Sequence, residues 1–292
     1  MMASLGFLFL SVSAQEFEIG LLGGATNYSG DIGRDPSNES SFLRDIQYQL
    51  TKPAYGVYFR SQRSMIKSVR LSIIYGEISA YDKISRYPAI RVRNLNFKSP
   101  ILEYSFVIER ILKGKIKPHA YINKKGIPVR EIYQYYFYGY AGIGMYTFDP
   151  HADYNGGWYE LRPLGTEGQG LCDPYSDICK TDHYYLTQFN IPMGLGFKYY
   201  LTDRLIITGE IGWRKTFTDY LDDVSGYYAD PDHIANDYGA TAGLLSNRSV
   251  EVTQDPVQLE RYQPGMQRGD NRSTDTYFFT LVKIGYIVDY VW

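Results

Sequence analysis

The chain of 292 residues is 44% hydrophobic with a formal net charge of −2, a balance that gives no basic surface for nucleic acid. Its 30 Tyr, 14 Phe, 3 Trp and 28 Gly are the palette of a β-rich protein rather than a helical one. Beyond the N-terminal segment no apolar run reaches the roughly 18 residues that a membrane-spanning helix needs, so a helical span is excluded.

The chain opens with MMASLGFLFLSVSAQEF, in which an apolar core from Leu5 to Leu10 precedes Val12, Ser13 and Ala14. This has the form of a secretory signal, with cleavage expected between Ala14 and Gln15, giving a signal peptide over 1–14 and one domain over 15–292. No Lys or Arg stands before the apolar core, and a buried N-terminal strand or helix is the alternative.

Eight segments then alternate at the two-residue period of strands: 16–26, 53–61, 67–78, 94–109, 134–148, 186–201, 204–218 and 275–291. In the sixth, Phe189, Ile191, Met193, Leu195, Phe197 and Tyr199 oppose Asn190, Gly194, Gly196, Lys198 and Tyr200. The seventh opposes Leu205, Ile207, Ile211, Trp213 and Phe217 to a face with Glu210 and Arg214. Charge on an inward face is costly in a dry sandwich core but tolerable in a barrel that is polar inside and meets lipid outside. The fifth segment is apolar on both faces and leaves its orientation open. Pro192, which removes a ladder donor, suggests a bulge in the sixth.

Short connections alternate with long ones. Turns near 62–66 and 202–203 face extended loops near 27–52, 79–93, 149–185 and 219–274, the asymmetry of outer-membrane barrels with brief periplasmic turns. The expected fold is therefore all-β: an eight-stranded antiparallel transmembrane β-barrel in outer-membrane lipid, with Tyr near strand ends serving as aromatic girdles. A soluble barrel or sandwich with core aromatics is the plainer alternative.

One turn-side connection is long. The loop at 110–133 carries Arg110, Lys113, Lys115, Lys117, Lys124, Lys125 and Arg130 with no acid before Arg130, whereas 219–275 holds eleven Asp or Glu against four Arg and no Lys. A basic protrusion of this kind can dock an acidic periplasmic partner or rest on anionic lipid; a merely solvated charge run is the other reading. In the third long loop Cys172 and Cys179 are spaced to form a disulfide in an oxidising compartment.

No catalytic constellation is recognisable, so the expectation is a non-enzymatic protein without cofactor or metal. His119, His151, His183 and His233 sit in loops with no zinc-site spacing. The RGD at Arg268–Asp270 and the acid-rich DDVSGYYADPDH are short patterns of low specificity for adhesion or for calcium.

Three stretches resemble one family. EIGLLGGATNYSGDIG at the first strand, YYFYGYAGIGMYTFDP at the fifth and NRSTDTYFFTLVKIGYIV at the last are similar to the PorG-type outer-membrane proteins of the Bacteroidetes type IX secretion system. The resemblance implies a role in protein secretion and gliding motility, anchoring or organising a periplasmic ring of PorK/PorN-type proteins. The last strand, with Val288, Tyr290 and terminal Trp292, also looks like the recognition signal for the barrel assembly machinery. A small OmpW-like channel and a surface adhesin using the long loops are the alternatives.

Overall fold

The computed structural model describes residues 16–34, 47–64, 66–116, 121–122, 128–130, 133–171 and 183–289. The chain runs β1 (Glu16–Ser29), β2 (Lys52–Gln62), β3 (Lys67–Tyr81), β4 (Asn96–Ile116), β5 (Tyr121–Ile122), β6 (Pro128–Arg130), β7 (Tyr133–Phe148), β8 (His151–Tyr154), β9 (Gly157–Glu160), β10 (Thr187–Tyr200), β11 (Leu205–Thr216) and β12 (Thr276–Asp289). The long strands follow the order β3-β2-β1-β12-β11-β10-β7-β4, and β3 also pairs with β4. That last pairing, from Lys67 opposite Arg110 to Tyr81 opposite Asn96, closes the sheet into an eight-stranded antiparallel barrel. The first and last strands meet along nearly their whole length, Ile19 opposite Tyr286 and Ser29 opposite Thr276.

The pleat sorts the side chains. Leu21, Ile143, Phe189, Leu195 and Ile211 are each about two-thirds exposed on the outside, and on β12 Val282, Ile284, Tyr286 and Val288 are about half exposed. A closed barrel with an apolar exterior spans a membrane without unpaired backbone. Outward rings mark its two ends: Tyr55 and Tyr75 on the loop side lie 5.3 Å apart, and Phe137 and Phe197 on the turn side 4.8 Å apart. Many described strand tyrosines turn inward instead of joining girdles: Tyr28, Tyr58, Tyr136, Tyr138, Tyr140, Tyr146, Tyr200 and Tyr277 are buried, whereas Tyr104 and Tyr286 face outward. This also settles β7, whose even-numbered residues face the interior.

Pro192 makes no bulge. Its register against β11 is unbroken, Ile191 opposite Lys215 and Pro192 opposite Arg214. Against β7 only the bridges beside it lapse, between Asn190–Gly144 and Met193–Ala141, without a shift. The missing amide therefore costs ladder bonds and not alignment. The turn-side loop also begins later than the sequence suggests. β4 continues to Ile116, pairing Lys113 with Phe137 and Lys115 with Tyr135, so the first cations of the basic stretch stand on a β4–β7 ribbon that runs past the start of β3 while β7 is still paired with β10. The pair β5–β6 follows it, Tyr121 opposite Arg130.

On the opposite side the long connections fold over the barrel mouth. They carry the β8–β9 hairpin and the helices α1 (Pro88–Arg93), α2 (Pro231–Tyr238), α3 (Ala240–Ser246) and α4 (Pro256–Leu259). Leu221, Val224, Leu245 and Leu161 from these loops join Ile74, Ile78, Phe97 and Phe279 of the strands in one buried cluster.

Candidate functional site: barrel interior, outer cap and basic ribbon

Alternation places the strand charges in the lumen, where they pair. Arg60 reaches Glu109 at 2.8 Å, Glu18 at 3.2 Å and Glu16 at 3.4 Å, and donates to the Tyr136 hydroxyl at 2.9 Å. Arg70 bridges Glu109 at 2.7 Å and Glu210 at 3.0 Å. Lys283 bonds Glu210, Lys198 bonds Glu18, and Arg214 meets Glu103 at 3.1 Å. Acids and bases are equal in number in this ladder: Glu16, Glu18, Glu103, Glu109 and Glu210 against Arg60, Arg70, Arg214, Lys198 and Lys283. Arg60 and Arg214 are 1% exposed, so no water-filled bore runs past them. Glycines make room for the inward rings: a Cβ on Gly196 would come within 2.2 Å of Tyr138. The interior is filled in the manner of the smallest barrels.

Above the ladder the cap has a different charge balance. Arg93 grips Asp82 at 2.7 Å and donates to the carbonyls of Arg268 and Asp31 at 2.6 and 2.8 Å. Arg268 donates to Glu167 at 3.1 Å, while Glu167 accepts the amide of Ser225 at 2.9 Å. Asp31, Asp222, Asp223 and Asp275 are buried as well. The Tyr28 hydroxyl lies 2.6 Å from Asp222 and 2.9 Å from Asp275, yet it has one proton to donate. The second contact is favourable only when its carboxyl carries a proton. Accordingly burial raises Asp222 to about 6 against the opposing bonds of Tyr28 and backbone amides, and raises Asp223 to about 7 against Arg268 and Thr166. Burial, reinforced by neighbouring carboxylates, pushes Asp275 well up, and does the same to Asp31 despite Arg93.

The cap also settles two short motifs. Asp222 and Asp223 of DDVSGYYADPDH are engaged by protein donors, Asp223 by Thr166 and Tyr184 at 2.5 and 2.7 Å, and Asp230 caps α2 through the Asp232 amide at 3.0 Å. These acids do not converge on one point. Arg268 of the RGD is 4% exposed and turned inward, so the tripeptide is not displayed.

On the ribbon, Arg110, Lys113 and Lys115 are exposed, and so is Leu112. Arg130 lies on β6. Lys117, Lys124 and Lys125, the pair Cys172 and Cys179, the junction of Ala14 and Gln15, and Tyr290 and Trp292 fall outside the described residues. Val288 stands on the outward face of β12.

The chain is an outer-membrane-type β-barrel. Residues 2–113 match a family model described as DUF6089, a domain of unknown function. No curated protein matches the sequence. Solved structures similar to it include Neisserial surface protein A at 7% identity, covering 92% of this chain and 96% of that one with a TM-score of 0.36. Ail, the attachment invasion locus protein of Yersinia pestis, is 8% identical and covers 94% and 99%, with a TM-score of 0.36. OprG of Pseudomonas aeruginosa is 9% identical and covers 94% and 97%, also at 0.36. The barrel assignment stands on the strand register and the closing pair, independently of these likenesses.

Proposed function

We propose that this protein is a non-enzymatic component of the outer membrane that serves as an anchor for a periplasmic protein assembly. The observation that carries this reading is the sealed lumen. A barrel whose bore is filled by neutralised ion pairs offers neither a conduction path nor an open ligand cavity, which leaves its ends as working surfaces. The end on the turn side bears exposed Arg110, Lys113 and Lys115 where β4 runs past its last pair with β3, a basic element suited to an acidic partner. With the resemblance of its first, fifth and last strands to PorG-type proteins, this favours a place in type IX secretion and gliding motility, where the ribbon contacts a ring of PorK/PorN-type proteins. Export through the N-terminal signal and insertion by the barrel assembly machinery belong to the same reading.

Two measurements test it. K113E/K115E, with K124E/K125E added, should reduce co-purification of the ring at least about tenfold while the barrel still inserts; undiminished co-purification removes the docking role. Purified protein in a planar bilayer should conduct next to nothing, and a steady ion-conducting state would favour the small-channel alternative.

A further inference from the structure

The strongest unassigned convergence of ligating side chains lies on the outer side, where β7 gives way to the β8–β9 hairpin. Asp149 follows β7, His151 opens β8 and Glu160 closes β9. His151 and Glu160 are directly opposite in the hairpin register, which brings together residues nine positions apart in sequence. One donor atom from each of the three lies within 4.8 Å of the other two. We propose that Asp149, His151 and Glu160 bind a divalent transition-metal ion of the zinc class.

Three features support this. The first is the imidazole: Nδ1 lies 2.8 Å from the carbonyl oxygen of Asp149 and must donate to it, which leaves the lone pair of neutral histidine on Nε2. That nitrogen faces the Asp149 carboxylate at 3.8 Å, too far for a hydrogen bond between them. The second is the availability of the Glu160 carboxylate, even though the Arg162 charge acts on Asp149 nearby. The Glu160 carboxylate has no hydrogen-bond or ion-pair partner among the described residues. Arg162 donates to the Tyr184 carbonyl at 2.7 Å, and the Lys98 ammonium lies 3.7 Å over the Trp158 ring. The third is the support beneath the site. The Asp149 amide donates to Ser99 at 2.9 Å, Lys98 of β4 is opposite His151, and the Leu161 amide donates to the Pro150 carbonyl at 2.9 Å. Two ligands are therefore anchored to the barrel rim, while exposed Glu160 has the freedom to close on an ion about 2.1 Å away.

One imidazole with two carboxylates suits a borderline divalent ion rather than calcium or magnesium, which take oxygen ligands alone. Bound there, the ion would clip the end of β9 to the end of β7 and fix the base of the third outer loop. Its remaining coordination positions would face solvent beside Glu160.

The test uses the full chain refolded in detergent micelles with both cysteines replaced (C172S/C179S), so that thiols cannot supply the binding. Calorimetric titration with zinc chloride should show one equivalent bound. H151A and E160Q should each weaken binding about tenfold or more, with H233A as a control that leaves it unchanged. Heat-modifiable gel mobility confirms that each variant is folded, and cobalt substitution should give the weak visible bands of an oxygen- and nitrogen-ligated ion. No binding in the cysteine-free chain, or binding that survives H151A undiminished, overturns the proposal.

Discussion

The guanidinium of Arg214 contacts both oxygens of Glu103, at 3.1 and 3.2 Å, and neither residue is reached by solvent. Glu103 is shared further, accepting from the Tyr277 hydroxyl at 2.8 Å and from Asn190 at 3.1 Å. Removing one member of such a pair strands a charge in the interior, whereas removing both substitutes packing for electrostatics. Glu103→Leu should therefore lower unfolding free energy in urea by about 3–5 kcal/mol, and E103L/R214M should recover at least half of that loss. A double variant as unstable as the single one would show that the hydrogen bonds to Tyr277 and Asn190, rather than the charge pair, hold this level of the lumen together.

Individual elements differ in how plainly the sequence displays them. All eight barrel strands are readable from two-residue alternation, because each has one face in lipid and one in a polar lumen, and apart from the far end of β4 their bounds shift by only a few residues. β7 is ambiguous by the same logic, since its inward face is made of tyrosines that are themselves apolar. The β4–β7 ribbon is missed because lysine is a poor marker of a strand, and only the register against Tyr135 and Phe137 shows that it is one. The cap is the least readable part. Its acids are drawn from β-strand ends and from loops far apart in sequence, such as Tyr28 with Asp222 and Asp275, and nothing in local spacing announces that meeting. Likewise Glu160 joins Asp149 and His151 only through a hairpin that the loop sequence does not advertise.

The cap should respond to pH in a direction fixed by these carboxyls. In an unfolded loop aspartate titrates near 3.9, whereas burial holds Asp222 at about 6 and Asp223 at about 7. Protons thus bind the folded cap more tightly than the open one. The stability that these two carboxyls contribute is full below about pH 4 and is lost as pH rises through 6 to 7. Amide exchange across 219–275, corrected for its intrinsic pH dependence, should be faster at pH 8 than at pH 5, and Asp222→Asn should slow it at pH 8. Protection that instead grows with pH would contradict this assignment of the buried protons.

At the scale of the whole molecule, the proposed assembly signal predicts that folding and delivery can be separated. Within the described residues the register of β12 against β1 already runs from Thr276 opposite Ser29 to Asp289 opposite Phe17, nearly the whole of β1. Deleting 290–292 should leave refolding in micelles intact, as judged by heat-modifiable mobility, and should sharply reduce insertion in cells. Equal loss in both assays would mean that the last residues are needed for the fold itself and are not only an address.

The seam between β1 and β12 has a consequence for the order of events. Strands near opposite ends of the polypeptide are hydrogen-bonded neighbours, with Gly24 opposite Leu281. The first strand synthesised therefore waits unpaired on one side until the last has emerged. Before that pairing forms, the sheet has two raw edges, each able to recruit a foreign strand. Closure across so wide a sequence separation is entropically late, and no early local nucleus can substitute for it. Until the ring shuts, the same two edges that complete the barrel are the places where the open sheet is most easily mispaired.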